Sequence, residues 1–357
     1  MNEIFKDLFV LELANNHLGK IERGLNIIHK FGTVVRHNNV KAAIKLQIRD
    51  VPTFIHKDHL NSDSRYIKKT LSTELRRDEF ITMADSIRRH GCMVMATPFD
   101  EKSVDLCVDI GCEAIKVASS DINDWGLLER IAKTRLPVIV STGGSSLKDT
   151  DDIVKFFSKR RIPLALNHCV SLYPTDEDCL ELNQIDFLRE RYPNNVIGLS
   201  THEHADWEAS MHIAYAKGAR TFERHVDIDD DGVVVSPYCS TPKQIGTWFK
   251  AYQRAKAMCG LPGTEKRVPC RKEVEYLDAL VRGCYAARDL AAGHVLQPGD
   301  IYLAIPLQKG QLSCRELFQD DVVRIGIDKD KPVMADSLSS YATMSEDLVE
   351  TIMNRGI

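Results

Sequence analysis

The sequence predicts an α/β protein, a (β/α)8 barrel followed by a small β-rich domain. Three observations carry that expectation. Short β-rich runs recur eight times in the first 260 or so residues, each followed by a helix-like pattern. That count and size match a (β/α)8 barrel. The first seven runs are almost continuously apolar, as strands covered on both faces must be. Nearly every run also ends in a reactive or hydrogen-bonding side chain, at the end of the strand where a closed barrel carries its chemistry.

In order, the runs are FVLELA 9–14, AAIKLQ 42–47, CMVMAT 92–97, AIKVAS 114–119, PVIVST 137–142, PLALNH 163–168, NVIGLS 195–200 and RTFERH 220–225. After the fifth, Asp149 or Thr150 is expected to cap a helix carrying Ile153, Val154, Phe156 and Phe157. That helix should stop near the basic residues 159–161, before Pro163. After the seventh, Asp206 is expected to cap WEASMHIAYAK, which ends at Gly218, a residue suited to the position after a helix. An open, doubly wound sheet is the competing arrangement, and periodicity alone does not exclude it. The strand ends tip the balance: Glu12, Lys45 with Gln47, Thr97, Lys116 with Ser119, Ser141, Asn167 with His168, Ser200 with His202, and His225. A core strand has no packing reason to finish that way eight times. The barrel is assigned to residues 1–260. Residues 261–281 read as a turn-rich linker with a short helix, and 282–340 as the small β-rich domain, its short strands broken by Gly-Asp and Asp-Lys turns. In the tail, 341–357, SEDLVETIMNRGI is expected to form a helix capped by Ser345.

Composition narrows the class of protein. At 43% hydrophobic and 27% charged, the chain is ordinary for a globular protein. A formal net charge of −4 argues against a nucleic-acid or anionic-membrane binder, which needs basic excess. The start, MNEIFKDLFVLELANN, has no basic segment followed by a clean apolar stretch, so it does not read as a signal peptide. No apolar run approaches the roughly 20 residues of a membrane span. The 10 cysteines show no C-x-x-C pairs or regular spacing, which fits thiols in a reducing compartment. A cytoplasmic protein is expected.

The motifs along the barrel resemble those of the sialic acid (N-acetylneuraminate) synthase family, enzymes that join phosphoenolpyruvate to an amino-sugar aldehyde. ELANNHLG is similar to the family's E-x-x-x-N-H-x-G segment, IKLQ to its K-x-Q strand and MATPFD to its S/A-T-P-F turn. IKVASSDINDWGLL, VIVSTGG, NHCVSLYPT, IGLSTHEH and FERHVDID follow in the family's order, and AARDLAAGHVLQPGDIYLAIP resembles its C-terminal antifreeze-like (SAF) domain. The resemblance spans roughly residues 8–340, and so many ordered motifs are more specific than any one alone. It implies a (β/α)8 barrel with a SAF domain, a domain-swapped homodimer, and a divalent cation, Mn2+ or Mg2+, held by histidines. The family pattern S-D-H-T aligns with Ser200-Thr201-His202-Glu203, so it implies His202 and His225 as metal ligands, with His204 outside the pattern.

The chemistry implied needs a phosphate and a carboxylate held, an aldehyde polarised and an enol carbon placed against it. Lys116, Ser119, Thr97, Ser141 and Ser200 match the family's phosphoenolpyruvate positions, and Lys45 can take the carboxylate or remaining phosphate charge. Gln47 and Ser171 belong with the substrate-binding residues. Asp121 stands where the family has Glu and is the candidate for moving protons with water. Glu12 and Tyr173 are expected to contact the sugar or order metal-bound water. The bland alternatives are barrel-mouth charge for the lysines and hydrogen-bonded mouth residues for the histidines. His202 and His225 come from adjacent strands, however, so their rings can converge on one cation and leave coordination sites open.

Departures from the family fall on the sugar side. Thr201 replaces an Asp, Ser171 an Asn, the family's acid before a Ser-containing turn has no counterpart at the aligned place near Ser236, and Ile305 replaces the SAF-domain Arg. These changes point away from N-acetylmannosamine and towards a modified or differently sized aldose. Rival readings are a shorter-chain phosphoenolpyruvate–aldose synthase with a non-acetamido acceptor, a Schiff-base aldolase using Lys116, and a metal-dependent hydrolase built on the His202-x-His204 pair. A repurposed homologue is a further alternative.

Overall fold

The computed structural model describes residues 3–261, 263, 265–316 and 320–357. The chain divides into two compact units, Met1–Leu261 and Pro262–Ile357.

The first unit holds eight parallel strands: β1 (Leu8–Ala14), β2 (Ala42–Ile48), β3 (Met93–Pro98), β4 (Ala114–Val117), β5 (Val138–Ser141), β6 (Leu164–Cys169), β7 (Val196–Thr201) and β8 (Thr221–Val226). Each pairs with the next in sequence, and β1 pairs with β8, Leu8 opposite Thr221 through Glu12 opposite His225. That closure makes the sheet a barrel and excludes the open, doubly wound alternative. A two-residue strand β9 (Cys239–Ser240) pairs in parallel beside the end of β8, at His225 and Val226.

Period-two alternation explains why the strands read as apolar yet end in chemistry. One parity, with Phe9, Leu11, Ile44, Leu46, Ile115, Val140, Leu166, Ile197 and Phe222, packs under the helices in the larger core cluster. The other parity fills the barrel interior. Its lower part is apolar: Leu8, Val10, Ala43, Met95, Ala114, Ile139, Ala165 and Val196, with Phe5 beneath them. One step further along the same rows stand Glu12, Lys45, Thr97, Lys116, Ser141 and Asn167, all buried. Strand β7 carries Gly198 at this level. A Cβ there would collide with Thr221 and with the Asn167 carboxamide, which are hydrogen-bonded to each other at 2.5 Å.

The helices follow the expected alternation, with two corrections at their starts. After β5 the helix runs Leu147–Lys159, and its cap is Ser146, not Asp149 or Thr150. Asp149 is the third residue of the helix and completes the capping box by reaching back to the Ser146 backbone N–H at 3.0 Å. After β7 the helix is Ala209–Ala216, shorter than expected. Asp206 accepts from the backbone N–H of Glu208 (2.7 Å) and Ala209 (3.2 Å), three residues ahead of the helix it serves. Gly218 takes the left-handed conformation at φ 93°, as anticipated. Three helices separate β2 from β3, Val51–Phe54, Arg65–Ser72 and Arg77–Arg89. A helix at Pro242–Cys259 closes the ring, its Trp248, Phe249 and Tyr252 packing edge-on around Phe9 at 4.7–5.0 Å.

The second unit has a helix at Arg271–Asp278 and an antiparallel pair, β10 (Gly283–Ala286) and β11 (Ile301–Ala304). Its remaining β structure among the described residues is single bridges, such as Leu290 to Ile327 and Val323 to Leu338, fewer ladders than the sequence suggests. Cys284, Leu296, Leu312, Val333 and Ile352 form its own core. Ile352 comes from the terminal helix Glu346–Asn354, where Ser345 accepts from Leu348 N–H as expected. All ten thiols are free, and six of them are buried. No helix among the described residues is long and apolar enough to cross a membrane.

Two measurements test this packing. Gly198→Ala should cost about 2 kcal/mol through overpacking, which lowers the melting temperature by roughly 4–8 °C for a unit of this size. His17, buried in the turn after β1, accepts from Gly19 N–H at 3.1 Å. Burial, then the charge of Arg23, lowers its pKa from 6.5 to about 4. The folded ring is neutral, so its contribution is complete above pH 6.5. Below that the unfolded chain binds a proton that the folded chain refuses, and stability falls until about pH 4. At about 1.4 kcal/mol per pH unit the loss reaches about 3 kcal/mol. Thermal melts of His17→Gln should show a shallower decline than the parent chain over that window.

Candidate active site

The polar upper end of the barrel opens into a cavity of about 620 Å³. Glu12, Lys45, Gln47, Thr97, Lys116, Ser119, Ser141, Ser171, Tyr173, Ser200, His202 and His225 all line it. Asp121 does not. It closes a 3-10 turn, Ser119–Asp121, that turns away after β4, and its Oδ2 is buried without a hydrogen-bond partner. Asn167 stays below the cavity on Thr221, and His168 faces the other way, its Nε2 2.8 Å from the Leu180 carbonyl. His204 is exposed in the loop before the Ala209 helix.

The centre of the site is a carboxylate that sequence reasoning passed over, Glu223. Lys45 is ion-paired with Glu12 and lies 2.7 Å from Glu223 Oε1. Lys116 lies 4.0 Å from Glu223 Oε2 and donates to Ser141 Oγ at 2.7 Å and to the Val117 carbonyl at 3.1 Å. All four charged groups are buried. Burial works to deprotonate Lys45, but Glu12 and Glu223 outweigh it and raise its pKa. Burial likewise pushes Glu223 up, and Lys116 and Lys45 overcome it and hold the carboxylate below its ordinary range. Glu12 is raised, by burial first and by Glu223 as well, against the pull of Lys45. Lys116 is lowered, by burial and by the charge of Lys45, with Glu223 opposing. The signal for Glu223 was its parity: it lies between Thr221 and His225 on the inward row of β8.

His202 and His225 meet at the end of β7 and β8, ring centroids 5.3 Å apart and planes at 48°. His202 Nδ1 is 3.0 Å from the Val170 carbonyl. A carbonyl can only accept, so Nδ1 carries the proton and Nε2 keeps a lone pair. His225 Nδ1 is buried with no partner. Burial lowers the pKa of both rings, His202 to about 4, which leaves them in the neutral form that binds metals. The pair therefore fits a divalent cation. Among the described residues no set of three or more His, Cys, Asp or Glu converges, so the protein offers two imidazoles and leaves the rest of the coordination open. Tyr173 covers His202 at a centroid distance of 4.0 Å, and Tyr238, which sequence reading missed, stands edge-on to His225 at 5.4 Å.

Behind the wall, residues adjacent to the two histidines are tied together. Arg224 donates to Glu203 Oε1 and to the Glu203 carbonyl, both at 2.6 Å, and to Ser240 Oγ at 3.1 Å. Thr201 and Ser210 also donate to the Glu203 carboxylate. Opposite, Ser119 Oγ accepts from Gly143 N–H at 3.1 Å; a Cβ on Gly143 would run into Ser119 and Ser171, so glycine lets the two hydroxyls meet there. Arg49, Tyr66 and Lys69 complete the rim, and no sequence motif singled them out.

Comparison with known proteins agrees with this geometry. The chain is 26% identical to N-acetylneuraminate-9-phosphate synthase of Drosophila melanogaster over 366 residues, covering 92% of this chain and 95% of that protein. It is 28% identical to pseudaminic acid synthase of Campylobacter jejuni subsp. jejuni serotype O:2, over 63% of this chain and 66% of that one. A crystal structure described as spore coat polysaccharide biosynthesis protein E from Chromobacterium violaceum matches with a TM-score of 0.88 and 37% identity, covering 94% of this chain and 100% of the other. The sequence pattern of the NeuB family matches residues 37–260, which hold seven of the eight barrel strands and most of the cavity's lining. The chain belongs to the NeuB family.

Proposed function

We propose that this protein condenses phosphoenolpyruvate with an aldose to give a 3-deoxy-2-ulosonic acid of the nonulosonic type, releasing phosphate. One observation carries the reading: two buried lysines, two neutral imidazoles and the unpartnered Thr97 Oγ1, Glu223 Oε2 and His225 Nδ1 all face one cavity. Buried polar groups are paired in most proteins; the two ammonium groups and the Thr97 hydroxyl fit a polar, anionic ligand, while Glu223 Oε2 fits a hydroxyl donor or a cation. The relatives, named as synthases of sialic and pseudaminic acids, support the same reaction class.

In this reading Lys116, Ser141, Ser119, Thr97 and Ser200 hold the phosphate, and Lys45 with Gln47 the carboxylate. Glu223 keeps both ammonium groups charged and fixed. Bound Mn2+ or Mg2+, on His202 and His225, would supply Lewis acidity to the aldehyde. The enol C3 attacks the aldehyde carbon, forming the C–C bond while the carbonyl oxygen takes a proton. Water adds at C2 and gives up a proton. The bond from C2 to the phosphate oxygen then breaks, its electron pair leaving with phosphate as the C2 ketone forms. Glu12, the more basic of the two cavity carboxylates, is placed to move a proton there. Asp121 remains a candidate, its pKa raised by burial, although it stands off the lining. Tyr173 and Ser171 face the acceptor. Ser171, where the family has Asn, lines the cavity and favours an acceptor other than N-acetylmannosamine; Thr201 faces away from the cavity, onto Glu203, and does not bear on that choice. The unit Pro262–Ile357 would be the antifreeze-like SAF domain, and the working molecule a domain-swapped, cytoplasmic homodimer.

The lowered pKa of Lys116 also suits a Schiff-base aldolase, which borohydride would trap at that lysine without any metal. The test is phosphate release from phosphoenolpyruvate across a panel of aldoses, before and after chelation. Release should require an aldose, fall with chelator and return with Mn2+; no release with any aldose would defeat the synthase reading. Separately, His202→Ala and His225→Ala should each weaken Mn2+ binding by at least the roughly 10- to 100-fold that loss of a supporting group costs. Unchanged Mn2+ affinity in titrations of the metal alone would remove the histidines from the metal site.

A further inference from the structure

Placing phosphoenolpyruvate leaves cationic groups in the cavity wall with nothing to bind. Lys45 and Lys116 already share Glu12 and Glu223. Arg49 and Lys69 line the same cavity, yet among the described residues neither has a carboxylate oxygen within 4.0 Å. Arg49 is the better defined. It continues the inward row of β2 past Lys45 and Gln47, and its guanidinium lies 3.6 Å from the centroid of the Phe99 ring. Nη1 donates to Gln47 Oε1 at 3.2 Å, while Nε is buried without a partner. A guanidinium has five donors in a planar fork. Here an aromatic face positions the fork, and among the described residues it makes one side-chain hydrogen bond.

Depth decides which reactant this group meets. Lys45 and Arg49 are four residues apart, roughly 13 Å along an extended strand. The reading above puts the three-carbon enol on Lys116, Lys45 and Gln47, so Arg49, bonded to Gln47, stands at the outer edge of that site. The far end of an acceptor sugar, extending outward from its aldehyde, is the part that reaches the rim. We propose that Arg49 is an anion subsite for a negatively charged substituent, a phosphate or a carboxylate, at the distal end of the acceptor, with Lys69 adding to the positive potential of the rim. This inference rests on the synthase reading and specifies its second substrate. A neutral acceptor would leave the fork unpaired beneath the bound sugar, and unpaired polar groups are where sites discriminate most strongly.

The experiment measures steady-state kinetics with phosphoenolpyruvate and Mn2+ for three acceptors of one stereochemistry: a neutral aldose, its terminal phosphate ester, and the corresponding terminal carboxylate. The expected result is a kcat/KM at least tenfold higher for one of the charged acceptors, the preferred one identifying the anion. Arg49→Met should raise the KM for that acceptor on the order of 10- to 100-fold, as loss of a charged hydrogen-bond partner does, with a much smaller change in the KM for phosphoenolpyruvate. Arg49→Lys, which keeps the charge but not the fork, should fall between the two and shows that the chain still folds. Equal use of neutral and charged acceptors by the parent chain would overturn the inference and leave the synthase reading intact. So would an Arg49→Met effect confined to the KM for phosphoenolpyruvate. Absence of turnover with all three, and with the wider aldose panel, would sink the synthase reading and the subsite with it.

Discussion

A buried row of alternating charge, Glu12, Lys45, Glu223 and Lys116, is the constraint on which the upper barrel depends. Taking an ammonium or a carboxylate out of water costs several kcal/mol per ion, and mutual attraction returns that only when the geometry is good. Well-packed apolar side chains would serve stability at least as well. The row keeps its charge because each member holds the next in a defined protonation state. The two carboxylates keep Lys45 charged, and the two lysines keep Glu223 ionised. Burial, with the charge of Lys45 and against the pull of Glu223, leaves Lys116 the less basic ammonium, bonded to Ser141 at the cavity wall.

The barrel makes that row possible by separating two jobs along one parity. Below, the inward positions are Leu, Val, Ala, Met and Ile; above, the same rows become Glu, Lys, Thr and Ser. The apolar layer excludes water from beneath the charges and so strengthens their interactions. The outward parity carries a second ion pair, Arg224 with Glu203, next to the two histidines in sequence and on the opposite side of the wall. In the family pattern an acid stands at the place of Thr201; here Glu203, two residues later, supplies a carboxylate that Thr201 itself bonds.

What the sequence disclosed follows the same logic. All eight strands fall within one or two residues of their expected positions, because a doubly covered strand leaves a continuous apolar trace. Residues at strand ends were legible for the same reason, since a lysine or histidine at the end of such a run has no packing role. Glu223 was harder to see. In TFERHV charged residues occupy both parities, and Glu223 had to be read two residues before the inward His225, with Arg224 facing out. Tyr66 and Lys69 lie on a connecting helix, where no strand period announces them, and Arg49, although it continues the inward row of Lys45 and Gln47, lies beyond the end of β2. Asp121, a candidate because it stands where the family has Glu, lies off the cavity lining, carried there by the 3-10 turn Ser119–Asp121. Helix starts were misplaced because Ser146 and Asp149 are both good caps, and only the reciprocal bonds show which one is outside the helix.

The apolar floor has a kinetic consequence. Phe5 and the ring of Leu8, Val10, Met95 and Ile139 fill the barrel interior beneath the charged row. If phosphate departs from C2 at the level of Lys116, it is born underneath the newly lengthened sugar acid, one inward step below His225. The larger molecule then stands in the exit of the smaller. On the proposed reaction the sugar acid would leave before inorganic phosphate.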